Sequence, residues 1–148
     1  MARWTTKQMA GKAKAETPRI PETIIQQQVV KWFAYTYPKI YATGAFFSVP
    51  NEGKRTRATA SRMKAEGMVS GVCDLMLLKP GSGYYSGLLI EMKAEGGRLT
   101  DNQRSWLIEM YKNGFAIAVC YSFEQATQVI SEYIAGSYQL GTNIELEK

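Results

Sequence analysis

The spacing of apolar and polar positions divides the chain into recognisable segments. After Pro21, the residues Ile25, Val29, Trp32 and Phe33 recur at helical intervals until Tyr37-Pro38, which predicts a first helix. AFFSV at 45–49 predicts a short strand closed by Pro50-Asn51. Residues 55–66 are polar and Ala-rich, and predict a helix that stops at Gly67. VCDLMLL at 72–78 and LLIEMK at 88–93 predict two strands, the first nearly continuously apolar and so buried. Between them KPGSGYYSG, 79–87, is dense in turn residues. Beyond Gly96-Gly97, Thr100 with Gln103 three residues on is a capping-box pattern. The helix it opens carries Trp106, Leu107, Met110 and Tyr111 on one face and ends at Asn113-Gly114. FAIAVCY at 115–121 predicts a further buried strand, and 123–135 a last helix with Ala126, Val129, Ile130 and Ile134 facing inward. Residues 1–19 lack apolar periodicity and read as a flexible basic arm, 20–135 as the folded domain, and 136–148 as a loose tail. The order α, β, (α), β, β, α, β, α predicts an α/β fold, a mixed sheet with helices on its faces.

Composition narrows the chemistry. A chain of 148 residues with 45% apolar and 21% charged residues is an ordinary single globular domain. No stretch approaches the roughly 18 apolar residues of a membrane span. The basic N-terminus has no apolar run behind it, so it does not read as a secretion signal. There is no histidine, which excludes imidazole acid–base catalysis and His-ligated metal sites. The two cysteines, Cys73 and Cys120, sit in separate apolar segments and read as small buried residues of a reducing, cytoplasmic compartment. Any metal must then rest on oxygen ligands, which favours magnesium, manganese or calcium.

Charge is unevenly placed. Residues 1–19 carry Arg3, Lys7, Lys12, Lys14 and Arg19 against Glu16, and residues 53–66 carry Lys54, Arg55, Arg57, Arg62 and Lys64 against Glu66. Two basic patches on a near-neutral body suit a polyanionic partner, most simply nucleic acid, though solvated faces look the same.

The unusual residues lie on two strands. Asp74 interrupts an apolar strand, while Glu91 and Lys93 are two residues apart, on one face and about 7 Å apart along the strand. If the strands form a hairpin centred on Ser82-Gly83, paired residue numbers sum to 165, as those of Asp74 and Glu91 do. The two carboxylates then stand side by side on one face, about 5 Å apart at Cβ. Adjacent buried carboxylates repel, and a divalent cation between them removes the conflict. Lys93 on the same face can hold an attacking water or an oxyanion, a set suited to phosphodiester hydrolysis. An ion pair of Lys93 with Asp74 or Glu91 is the plainer alternative. Glu22 and Gln26 share a face of the first helix, where Glu22 also serves as a first-turn acid. Gln103 either supports the site or only closes its capping box.

Asp74 followed by Glu91-Met92-Lys93 resembles the D…ExK signature of the PD-(D/E)xK nuclease superfamily. The wording around it resembles one branch, the virus-type replication-repair nuclease (VRR-NUC) domain and its stand-alone phage members. The resemblance rests on Glu22-x-x-x-Gln26, VPNEGKR at 49–55, SRMKAEGMVSGVCDL at 61–75, GLLIEMKAEGGRLTDNQRSW at 87–106 and the strand–helix pair at 115–134. It departs at Cys73, where the family usually has proline before the aspartate. The resemblance implies a restriction-endonuclease-like αβββαβ core and magnesium or manganese on Asp74, Glu91 and the Met92 carbonyl. It implies that Lys93 positions or activates water, that Glu22 adds a metal or water contact, and that Gln103 supports the site. On that reading Lys54, Arg55, Arg57, Arg62 and Lys64 contact DNA phosphates, making binding salt-dependent. No recognition helix or zinc module is visible, so junction or branch shape is a more natural target than base sequence. The implied activity is a metal-dependent, structure-selective DNA endonuclease, acting as a homodimer in a host cytoplasm if phage-encoded. The alternatives are a catalytically inactive DNA-binding or scaffold module of the same fold, and a nuclease directed at RNA.

Overall fold

A computed structural model of the chain describes residues 18–50 and 55–140. Helix α1 (Glu22–Thr36) follows Pro21, has Glu22 in its first turn, and buries Ile25, Val29 and Phe33 at four-residue intervals. It ends before Pro38, as expected, but Pro38 then opens a short second helix, α2 (Pro38–Ala42), at whose first turn a proline is harmless. Strand β1 (Phe46–Ser48), helix α3 (Arg57–Ala65), strand β2 (Leu75–Leu77) and strand β3 (Leu88–Met92) follow. Helix α4 (Asp101–Lys112), strand β4 (Ala116–Cys120) and helix α5 (Phe123–Ala135) complete the order. Among the described residues no helix is long and apolar enough to cross a membrane.

The four strands form one sheet in the order β1-β2-β3-β4. β1/β2 and β2/β3 are antiparallel, whereas β3/β4 is parallel, with α4 as the crossover. The β2/β3 register is Leu75↔Ile90, Met76↔Leu89 and Leu77↔Leu88, the pairing expected for a hairpin whose residue numbers sum to 165. Near the tip the pairing slips by one residue, to Gly81↔Tyr85, and the chain reverses through Ser82 and Gly83, both at positive φ.

β3 and β4 are buried along their whole length because helices cover both faces. On one face Leu75, Leu77, Leu88, Ile90, Met92, Ala116 and Ala118 pack with Ile25, Val29 and Phe33 of α1 and Ala126, Ile130 and Tyr133 of α5. On the other, Leu89, Ile117 and Val119 pack with Leu107 of α4 and with Cys73. Successive strand residues alternate between faces, so Glu91 and Lys93 fall in step with Leu89, on the α4 side.

Three expectations need correction. The strand drawn at 72–78 is only Leu75–Leu77, because the backbone of Asp74 leaves the regular ladder. The tail is not loose where it begins. Tyr138 is buried, donates its hydroxyl to the Ile117 carbonyl at 2.6 Å and its amide to Ser82 Oγ at 3.0 Å. Tyr133, absent from the expected inward face of α5, is fully buried and donates its hydroxyl to the Lys79 carbonyl at 2.7 Å. Burial pushes that phenol up to about 12. Of the arm expected at 1–19, residues 1–17 lie outside the described residues, as do residues 141–148 of the tail expected at 136–148.

Burial also pushes the thiols of Cys73 and Cys120 up to about 12, with the charges of Glu91 and Asp74 adding to the effect at Cys73. A thiol so far above its usual value stays protonated and unreactive at neutral pH. Native protein at pH 8 should therefore resist a thiol-titrating reagent, and both cysteines should react after unfolding in urea. Rapid labelling of the native chain would contradict this packing.

Candidate active site

The site forms where β2 and β3 run out against the first turns of α1 and α4. Asp74 is held by backbone on both sides. Its amide donates to the Ile90 carbonyl at 3.1 Å, and its carbonyl accepts from the Val49 amide at 2.8 Å. Ile90 is also the partner of Leu75, so two residues of one strand face one of the other, the count of a β-bulge. This turns the Asp74 carboxylate along the sheet end, where Oδ2 accepts from the Met92 amide at 2.7 Å. The Met92 side chain is core, but its N–H faces β2, and in a strand the carbonyl of a residue points the same way as its N–H.

Glu91 is 1% exposed. Its Oε1 accepts from Lys93 Nζ at 2.9 Å and from Gln103 Nε2 at 2.7 Å. Its Oε2 is buried with no hydrogen-bond partner among the described residues. Burial pushes this carboxyl up to about 7; the Lys93 hydrogen bond and charge pull it back, while Asp74 and Glu22 push it further up. For Lys93, burial alone would lower the ammonium. The hydrogen bond and charge of Glu91, with Glu22 and Asp74, more than reverse that and leave it raised. Lys93 is therefore a charged donor.

Gln103 makes both of its possible contributions at once. Thr100 Oγ1 accepts from the Gln103 amide at 3.3 Å, and Gln103 Oε1 accepts from the Thr100 amide at 2.9 Å, closing the capping box. With its oxygen committed there, the amide nitrogen is aimed at Glu91. Glu22, on the helix covering the opposite face, reaches round the sheet end and accepts from the Ala94 amide at 3.0 Å.

Glu22, Asp74, Glu91, Lys93 and Gln103 line one cleft of about 330 Å³, with Arg55 and the segment Met68–Val72 as its far wall. Arg55 was expected from the sequence as a phosphate contact, whereas the Met68–Val72 segment was given no role in the site. That segment is pinned to α4 by Ser70 Oγ, which accepts from Asn102 Nδ2 at 3.1 Å, and by Gly71. Gly71 has φ +83°, and a Cβ there would lie 2.5 Å from the Asn102 carbonyl carbon. The one sequence signal was that glycine, shortly before an acid-bearing strand. At the other end Arg55 Nη1 lies 2.8 Å from Met68 Sδ.

The remaining basic candidates do not line this cleft. Arg57, Arg62 and Lys64 are exposed on α3, which buries no residue, and Arg62 pairs with Glu66 at 3.7 Å. Lys54 lies outside the described residues. No three His, Cys, Asp or Glu side chains converge as a metal cage among the described residues. The available donor set is two carboxylates and a strand-end carbonyl. All of it is oxygen, and one buried oxygen lacks a partner among the described residues, which fits a hard divalent cation.

Two acids and a lysine, set on adjoining antiparallel strands beside a parallel pair, define a D…ExK centre on an α/β sheet. A family model, the VRR-NUC domain, matches residues 13–124, and the chain belongs to that family. Membership implies a nuclease of the PD-(D/E)xK type. Among solved structures, one titled "VRR_NUC domain protein" is 24% identical, with a TM-score of 0.69, covering 84% of this chain and 100% of its own. That likeness supports the fold. No curated protein gives a significant match to the chain.

Gln103→Glu preserves the capping acceptor but sets a second carboxylate against Glu91, whereas Gln103→Ala removes both contacts. The glutamate variant should keep α4 intact by circular dichroism. Both variants should lose activity by about 10- to 100-fold, the loss expected where Glu91 is a metal ligand and Gln103 orients it. Full activity in the glutamate variant would mean that the Gln103–Glu91 bond does not shape the site.

Proposed function

We propose that the protein is a metal-dependent DNA endonuclease that hydrolyses phosphodiester bonds and selects its substrate by shape. The observation that carries this reading is Glu91. One carboxylate oxygen is saturated by Lys93 and Gln103, and the other is buried without a partner among the described residues, close to Asp74 in the same cleft. A buried carboxylate oxygen left unpaired is costly, and a cation would relieve that cost. Asp74, Glu91 and the Met92 carbonyl would hold magnesium or manganese. When bound, the ion supplies charge stabilisation at the phosphoryl oxygens and lowers the pKa of water.

The protein's own groups do the rest. Lys93 donates hydrogen bonds to the attacking water or to the developing oxyanion. Gln103 fixes the Glu91 carboxylate, and Glu22 contributes a second contact for water or metal at the cleft mouth. Arg55, at the cleft wall, meets the phosphate next to the one that is cut. Arg57, Arg62 and Lys64 on α3, with Lys54, extend the contact along the backbone. These are phosphate contacts, which carry affinity but no base sequence, and that supports selection by branch or junction geometry. One cleft per chain cuts one strand, so two copies acting together account for cutting both.

Incubation with plasmid and with a four-way junction should give magnesium-dependent cleavage that EDTA abolishes. Glu91→Gln should lower cleavage by at least about 100-fold while leaving junction binding near the parent's. Metal-independent cutting, or a fully active Glu91→Gln variant, would overturn the assignment. Binding without any cleavage would make the protein a DNA-binding module instead. In the same binding assay, Arg57→Ala and Lys64→Ala should each weaken binding to all sequences alike and reduce the salt slope by about one. An unchanged slope would remove α3 from the interface.

A further inference from the structure

We propose that a second cleft, across Asp74 from Lys93, is a nucleoside subsite for the leaving-group side of the cut strand, with Gln26 as its hydrogen-bonding residue. This rests on the nuclease reading above.

Glu22 and Asp74 line two clefts, not one. The second, of about 220 Å³, is closed by Thr23 and Gln26 of α1 and by Ser48, Val49 and Pro50 at the end of β1. The sheet order places β2, and so Asp74, between β1 and β3. The second cleft therefore lies on the β1 side of Asp74, and Lys93 on the β3 side. The linings differ in kind. The first contains Arg55 and Lys93; among the described residues the second has no cation, and its only charged groups there are the two shared acids. Such a lining disfavours phosphate. Uncharged amide and hydroxyl groups beside an apolar Val49-Pro50 wall suit a sugar and a base.

Gln26 is the residue best placed to recognise one. It sits one turn beyond Glu22, is half-buried, and its side chain makes no hydrogen bond among the described residues. A primary amide offers two donors and an acceptor, enough to pair with a base edge.

The direction follows from the chemistry. In hydrolysis of a phosphodiester, an oxygen–phosphorus bond forms from water and the bond to the leaving nucleoside oxygen breaks. The proton of water passes to solvent, and the leaving oxygen takes one up. The attacking and leaving oxygens lie in line on opposite sides of phosphorus. With the attacking water, rather than the oxyanion, held by Lys93, the water side lies toward β3 and the leaving nucleoside departs toward β1, into the second cleft.

The test uses the full chain and a DNA substrate whose cut position has first been mapped. A single abasic nucleotide is placed immediately on either side of the scissile bond. Parent, Gln26→Ala and Gln26→Glu are compared by cleavage in magnesium and by fluorescence anisotropy in calcium, after melting curves confirm folding. On the parent, an abasic nucleotide on the leaving side should weaken binding and cleavage by about 5- to 10-fold, the size of one hydrogen bond. Gln26→Ala should show the same loss on intact DNA and no further loss on that abasic substrate. With the abasic nucleotide on the other side, the two losses should multiply. Equal losses for Gln26→Ala on every substrate, or none, would overturn the subsite while leaving the nuclease reading intact. A parent that neither binds nor cuts DNA would overturn both.

Discussion

The structure turns on a glutamate placed where a strand is buried on both faces. A carboxylate at the end of β3 loses most of its hydration, and burial is the largest influence on its protonation. The fold answers with two donors to a single oxygen. Lys93 comes from the same strand two residues on, and Gln103 from the helix packed above. Neither donor reaches the second oxygen. A site meant only to neutralise the charge would saturate both, since a half-satisfied buried group costs more than a fully paired one. The asymmetry is what distinguishes this pair from a plain ion pair at a sheet end.

Everything around Glu91 fixes that asymmetry in place. The capping box at Thr100 orients the Gln103 amide, so a local rule of helix initiation also determines which end of the side chain meets the acid. Gly71 lets the wall of the cleft approach α4 closely enough for a hydrogen bond from Asn102 to Ser70. Glu22 ties α1 to the residue after Lys93, bringing a helix from one face of the sheet to a site on the other. Three layers therefore meet at one sheet end, and displacement of any of them moves a group that touches the carboxylates.

Much of this was legible in the sequence because it follows from periodicity. The hairpin register came from counting, and β3 alternation then put Glu91, Lys93 and Leu89 on one face. The capping box was readable at Thr100-Gln103, and α5 had its predicted limits of 123–135. What was not legible depends on single tertiary bonds. β2 is short because the Asp74 backbone is claimed by Ile90 and Val49, which no pattern of apolar residues announces. Tyr133 and Tyr138 look polar in sequence, and only their bonds to the Lys79 and Ile117 carbonyls allow them inside. The basic run at 54–64 reads as one patch, but Arg55 precedes the Thr56 N-cap and so parts from the basic residues on α3. Arg55 enters the cleft while Arg57, Arg62 and Lys64 stay on an exposed helix.

That separation bears on how an anion could reach the site at all. Glu22, Asp74 and Glu91 face the cleft with Lys93 and Arg55 as its cations, so the local balance is unfavourable to phosphate. On the proposed reading, long-range attraction comes from α3, which buries no residue and keeps its basic side chains exposed. There α3 captures the backbone while the acid pair takes a divalent ion, and only then does the cleft accept the scissile phosphate. Charge near the reaction and charge for capture are thus kept on different elements. The capture charges can remain hydrated and screened by salt, while the buried ones are held by short, directional bonds that salt barely touches.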